Sequence, residues 1–158
     1  MSDRTVRRRS MTFRDLSRLA ISIIDRIPGD IEMVSGPIST GGVGSVEGNR
    51  RVFERVVEIL VREKKIKIFS QMPFEDKMVE FYLVWHKEHP DEDYCMPILD
   101  DFYERVFSTG RIAALNFIYG WEFSFGARWE HDNCDRWNIE KRYLPKNLYL
   151  RSFYEKGD

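Results

Sequence analysis

The chain has 158 residues, enough for one domain with a real core and too few for two ordinary ones. Its 25 Lys and Arg against 26 Asp and Glu leave a net charge of -1, so no global basic field points to nucleic acid or to an anionic membrane surface. No apolar run reaches the roughly 18 residues of a membrane-spanning helix, and Arg7-Arg8-Arg9 leads into a charge-dotted segment unlike a signal peptide.

Cys95 and Cys134 lie outside any CxxC spacing, so a reduced, cytoplasmic setting is expected. Residues 1 to 11 are polar and basic and read as a solvated tail. From Thr12 to Ile27, Phe13, Leu16, Ala20, Ile23, Ile24 and Ile27 recur at threes and fours, which predicts an amphipathic helix stopped by Pro28-Gly29. This helix either covers a sheet or meets a second subunit. Ile31-Glu32-Met33-Val34 then reads as a short strand that runs into a loop from Ser35 to Ser45 with four glycines and four hydroxyl residues. Glycines let backbone N–H groups approach a ligand, and the helix start that follows favours anions. The loop suits a phosphate-sized group, but it is neither GxGxxG nor GxxxxGK[ST], and without the lysine it does not read as a nucleoside triphosphatase.

The next helix runs from the N-cap Ser45 to Glu63 with Val46, Asn49, Phe53, Val56, Val57 and Leu60 on one face. Asn49 either holds the glycine loop in shape or is an ordinary core-edge amide. Ile66-Lys67-Ile68-Phe69 reads as a second strand, which makes a βαβ unit and predicts a parallel sheet. Gln71-Met72-Pro73-Phe74-Glu75 follows at the carboxyl end of that strand, where ligand loops cluster. Residues 76 to 88 read as helical. His86 and His89 lie three apart with no third ligand nearby, so no metal is expected. Pro97 opens a helix from Ile98 to about Ser108 that carries Asp100, Asp101 and Glu104. A buried strand over residues 112 to 118 breaks at Gly120, a segment of helical character ends near Trp137, and Ile139 to Leu144 reads as a fourth strand. The aromatic, basic tail from Lys146 reads as loosely packed or turned towards a second subunit.

Two of these segments carry a resemblance. Ser35-Gly36-Pro37-Ile38 with Gly41-Gly42, followed about 80 residues later by Gly120-Trp121-Glu122-Phe123-Ser124-Phe125-Gly126-Ala127-Arg128-Trp129-Glu130, resembles the nucleoside 2-deoxyribosyltransferase-like superfamily over roughly residues 31 to 144. The second motif is the specific one, matching GWxxSxGAxxE at six positions across eleven. The fold implied is α/β, a Rossmann-like (flavodoxin-like) parallel sheet of four to five strands with helices on both faces. An N-terminal tail and amphipathic helix (1–29) precede the core (30–145), and a C-terminal tail (146–158) follows it.

The resemblance implies that Glu130 is the catalytic glutamate, which attacks the anomeric carbon of a nucleoside or nucleotide and displaces the base. A carboxylate is the usual covalent nucleophile at such a centre. Ser124 and Gly126 match the SxGxxxE spacing of the deoxynucleoside 5'-monophosphate N-glycosidases, whose serine and backbone N–H groups bind the 5'-phosphate. Nucleoside transferases have an aspartate at the position of Ser124, which beside a phosphate dianion would cost several kcal/mol at an effective dielectric of about 20. A nucleoside 5'-monophosphate is therefore expected, bound by Ser35, Gly36, Pro37, Ile38, Gly41, Gly42, Asn49, Trp121, Ser124 and Gly126. Asp101 is assigned as the family's second acid, with Asp100 and Glu104 close in register. Ala113 departs from the aspartate with which many relatives open the third strand. Tyr119, Trp121 and Trp129 either stack on a base or pack in the core. No cofactor is implied, and a homodimer or larger homo-oligomer is, with a neighbouring subunit completing each pocket. Hydrolysis, transfer to a second base, and a non-catalytic nucleotide sensor are the three readings. A metal-dependent hydrolase using His86, His89 or His131 stands further off.

Overall fold

The computed structural model describes residues 11–38, 42 and 44–154. The first helix, α1 (Phe13–Ile24), starts where Thr12 and Asp15 cap each other: the Thr12 hydroxyl accepts from the Asp15 N–H, and the Asp15 carboxylate accepts from the Thr12 N–H at 2.9 Å. It buries Phe13, Leu16, Ala20 and Ile24 against the core, so α1 covers the sheet. Ile23, expected on the inward face, is 39% exposed, because Ile24 occupies the buried stripe and adjacent residues lie about 100° apart around a helix.

Among the described residues the sheet has three parallel strands, β1 (Ile31–Ser35), β2 (Ile112–Phe117) and β3 (Glu140–Tyr143), in that spatial order. This corrects the expected four to five strands. Residues 66–69 form a single parallel bridge, with Glu32 N–H donating to the Lys67 carbonyl and Phe69 N–H donating to the Glu32 carbonyl, both at 2.9 Å. The segment is too short to continue: Lys65 before it sits at φ 57°, and Ser70 after it turns the chain by accepting the Met72 N–H at 3.2 Å.

Helix α2 (Val46–Glu63) is capped by Ser45, whose hydroxyl accepts the Gly48 N–H at 3.0 Å. Helix α3 (Glu75–Glu88) follows a 3-10 turn, and a π-helical turn (Ile98–Tyr103) runs into the short α4 (Glu104–Phe107). Helix α5 (Phe125–Asn133) lies between β2 and β3, and α6 (Lys146–Tyr154) ends the described chain. Ile31, Met33, Leu115 and Phe117 pack with α1 and the π-helical turn, whereas Val34 and Ile118 pack with α2 and Leu148 of α6. Successive strand side chains point to opposite faces, so both faces of the sheet are covered by helices. The segment from Lys146, expected to pack loosely or against a second subunit, forms a helix pinned to α2 of its own chain through buried Leu148 and through Arg151, which donates to Glu63 at 2.9 Å.

Glu32 ties the three strands together. Its carboxylate accepts from Asn116 on β2 at 2.9 Å and from Arg142 on β3 at 2.8 Å. Cys95 and Cys134 are buried free thiols. No helix among the described residues is long and apolar enough to cross a membrane.

Candidate functional site

A cavity of about 370 Å³ opens at the carboxyl ends of the strands, walled by the turn after β1, the start of α3, the loop before the π-helical turn and the first two turns of α5. The turn after β1 brings Gly36 and Ile38 to it. A Cβ at Gly36 would stand 2.9 Å from the Ile118 side chain, so only glycine allows this approach. Pro37 is buried beneath the turn. Asn49 does hold the loop: its amide donates to the Ile38 carbonyl at 3.1 Å, and a Cβ at Gly42, where φ is +62°, would fall 2.2 Å from its Oδ1. Gly41 lies outside the described residues. Gly42→Ala is therefore expected to cost about 1–3 kcal/mol through left-handed strain plus a clash. Gly110→Ala, with similar φ but open space around it, should cost less. Urea denaturation of the two variants reads the difference.

The wall from α5 begins at Gly120, whose φ of 91° turns the chain out of β2 and through a 3-10 turn to Ser124. Ser124 is buried and caps α5, its hydroxyl accepting the Ala127 N–H at 3.2 Å. The N–H groups of Phe125 and Gly126 belong to the first turn, where helices have no internal acceptors, and the helix dipole favours negative charge there. Tyr94 packs on the Phe125 ring at 4.3 Å, and its hydroxyl would stand 3.1 Å from a Cβ at Gly126.

Glu130 lies six residues beyond Ser124, about 9 Å along the helix axis, and its side chain leans back towards the helix start. It is 5% exposed. Among the described residues Glu130 Oε2, Ser35 Oγ and Gln71 Oε1 are all buried without a hydrogen-bond partner. Burial pushes the Glu130 carboxyl up to about 8; the nearby Ser35 hydroxyl opposes this rise without completing a bond, and the charge of Glu75 adds to it. Glu75, at the start of α3, is 7% exposed, and burial raises its carboxyl to about 7 against the opposing charge of Arg50. Arg50 itself is paired with Asp76 at 3.1 Å.

The carboxyls that line the cavity beside Glu130 are thus Glu75 and Asp93, not Asp101. Asp101 is exposed and lines a separate groove with Arg14, Asp100 and Glu104. The π-helical turn aims Leu99, Phe102 and Tyr103 inward, which leaves Asp100 and Asp101 on the outer side. Glu104 pairs with Arg136 at 2.8 Å. Trp121 also stands off the cavity, stacked on His131 at 4.2 Å, and His131 Nε2 lies 2.7 Å from the Tyr143 hydroxyl. Trp129 packs on Trp137, and Arg128 donates to the Glu122 carbonyl at 2.8 Å. His86 and His89 stack on Tyr82 and Trp85. Of the expected residues, Gly36, Ile38, Ser124, Gly126 and Glu130 line the cavity, Ser35 adjoins Glu130, and Asn49 and Gly42 support the loop.

Comparison of the chain with family models, curated proteins and solved structures gives no match.

Proposed function

We propose that the protein hydrolyses the N-glycosidic bond of a nucleoside 5'-monophosphate, with Glu130 as the nucleophile, and releases free base and sugar 5-phosphate. One observation carries this reading: two motifs about 80 residues apart in sequence meet on one cavity, where Glu130 Oε2 is buried without a partner among the described residues. Carboxylate attack at the anomeric carbon forms a glycosyl ester that water then opens. Positive charge developing at that carbon favours the ionised form of Glu130. The cavity volume suits a nucleoside-sized ligand.

No Lys or Arg lines the cavity among the described residues, so the phosphate is met by the N–H groups at the start of α5, the Ser124 hydroxyl and the glycine turn. The parallel sheet with its ligand cavity at the strand ends supports a Rossmann-like, flavodoxin-like reading of the fold. The same reading brings a cytoplasmic enzyme and a homodimer that closes the pocket. The exposed apolar rim residues Val46 and Val79 support the latter.

A non-catalytic nucleotide sensor is the second reading, favoured by the outward position of Asp101. Chromatography of free base after incubation with a panel of 5'-monophosphates separates the two: tight binding without base release selects the sensor. Transfer is detected by adding a second base and looking for its nucleotide. Ser124→Asp isolates the phosphate, because aspartate also caps helices. This variant is expected to lose at least about tenfold in monophosphate affinity, or about 1.4 kcal/mol, with no such loss for the parent nucleoside. Equal monophosphate affinity in calorimetric titration would remove Ser124 from the phosphate site.

A further inference from the structure

Resting on the N-glycosidase reading, we infer that Glu75 is the general acid of this site, protonating the departing base and then taking the proton of the attacking water. Glu75 reaches the cavity from the start of α3, and the only other carboxyls among the described residues that line it are Glu130 and Asp93. Its carboxyl makes no hydrogen bond or ion pair among the described residues, although the side chain is 7% exposed. A buried carboxyl left without partners lowers stability, and fold alone does not require it here. Asp76 already supplies an exposed acid to the first turn of α3. Tyr94 and Tyr103 line the same cavity as Glu75 and Glu130; burial raises both phenols, and the charges of both carboxyls add to the rise. Two carboxyls in one dry volume do not both ionise readily, and the free site favours the proton on Glu130. Positive charge developing at the anomeric carbon of bound substrate favours ionised Glu130 and leaves the proton to Glu75.

The chemistry requires such a partner, since a nucleobase leaves poorly as an anion. In the first step a Glu130 oxygen bonds to the anomeric carbon while the carbon–nitrogen bond breaks. The electron pair of that bond goes to the base, and the base nitrogen takes the Glu75 proton. In the second step water adds to the anomeric carbon, Glu75 accepts its proton, and the ester carbon–oxygen bond returns its electrons to Glu130. Base and sugar 5-phosphate leave, and both carboxyls regain their starting states. Gln71, which lines the cavity and whose Oε1 is buried without a hydrogen-bond partner among the described residues, lies four residues before Glu75 and is held by its amide donating to the Val34 carbonyl at 3.1 Å.

The test compares natural 5'-monophosphates with a 4-nitrophenyl riboside or deoxyriboside 5-phosphate, whose leaving group departs without a proton. Glu75→Gln should lower kcat/KM for base release by about 10²- to 10³-fold, in the range of general acid catalysis. It should lower nitrophenol release by less than about tenfold. The alkaline fall of the wild-type pH profile should vanish in the variant. Glu75→Asp, which draws the carboxyl back by one methylene, should show the same contrast between substrates and serves if the glutamine variant melts early. Equal losses on both substrates would make Glu75 structural and leave Glu130 as nucleophile. Wild-type protein that releases neither base nor nitrophenol would overturn the N-glycosidase reading and the acid role with it.

Discussion

Glu130→Gln is expected to abolish base release while leaving the protein folded. Glutamine fills the same volume, but its amide does not add to the anomeric carbon. Loss of a covalent nucleophile is expected to lower turnover by on the order of 10⁴-fold or more, about 5.5 kcal/mol of transition-state stabilisation at 1.36 kcal/mol per tenfold. Affinity for sugar 5-phosphate should change little, because the groups assigned to the phosphate lie at the other end of α5. Single-turnover assays with chromatographic detection of base make the comparison. Retention of more than about a hundredth of wild-type turnover would exclude Glu130 as nucleophile. The variant also removes a carboxyl that burial holds in its protonated form, so its thermal midpoint at neutral pH should match or exceed the wild type.

Stability is expected to fall as pH rises from about 4.5 to about 8, opposite to what salt-bridged carboxylates produce. Burial raises Glu130 to about 8 and Glu75 to about 7, against the ordinary 4.5 that both have in the unfolded chain. Below 4.5 both groups are protonated in either state and contribute nothing. Above it the unfolded chain releases its protons while the folded chain keeps them, so each step in pH favours unfolding until the folded groups ionise too. Between pH 4.5 and 7 this amounts to about 3 kcal/mol for each group at 1.36 kcal/mol per unit, with the sum reduced because the two share one cavity. At roughly 2–4 °C per kcal/mol for a chain of this size, the midpoint at pH 8 should lie several degrees below that at pH 5.5. Scanning calorimetry across this range, with Glu130→Gln flattening the slope, provides the check; a wild-type midpoint that climbs from pH 5.5 to 8 would contradict it. Glu63, held below the usual carboxylate range by Arg151, acts in the opposite sense and only in acid.

Local signals in the sequence were sufficient wherever one stretch decided the outcome. Thr12 and Ser45 announce their helices through side chains that cap nearby N–H groups, and the apolar runs of β1 and β2 are buried as their composition requires. The helical character expected to end near Trp137 does so, with Asn138 closing it in the left-handed conformation at φ 56°. Where tertiary context decided, the reading went astray. The pattern in 66–69 suits a strand, but how many ladder bonds form depends on turns at both ends. Asp101, with Asp100 and Glu104 as alternatives, is assigned from the resemblance, and the π-helical turn over 98–103 aims Leu99, Phe102 and Tyr103 inward and leaves Asp100 and Asp101 outside. Glu75 reads as part of the loop 71–75, where ligand loops cluster, but with no role assigned to it. The signal that marks it is positional: it ends the loop at the carboxyl side of 66–69, and its neighbour Asp76 remains exposed while Glu75 is buried. Trp121, assigned to the substrate, stacks on His131, ten residues further along the chain, a pairing across a turn that no periodicity reports.

Helix α5 carries both Ser124 at its start and Glu130 near its middle on a single nine-residue element. If the phosphate rests at the first and the anomeric carbon at the second, the distance between them is the rise of a rigid rod and not the reach of a loop. Such an element works as a gauge of length. On that reading it would accept one phosphate on the 5' carbon, place a diphosphate's sugar beyond the carboxylate, and let a phosphate on the 3' carbon bring the wrong face of the ring forward. Selection among nucleotides by chain length and attachment point would then be written into helical pitch, before any contact with the base is made.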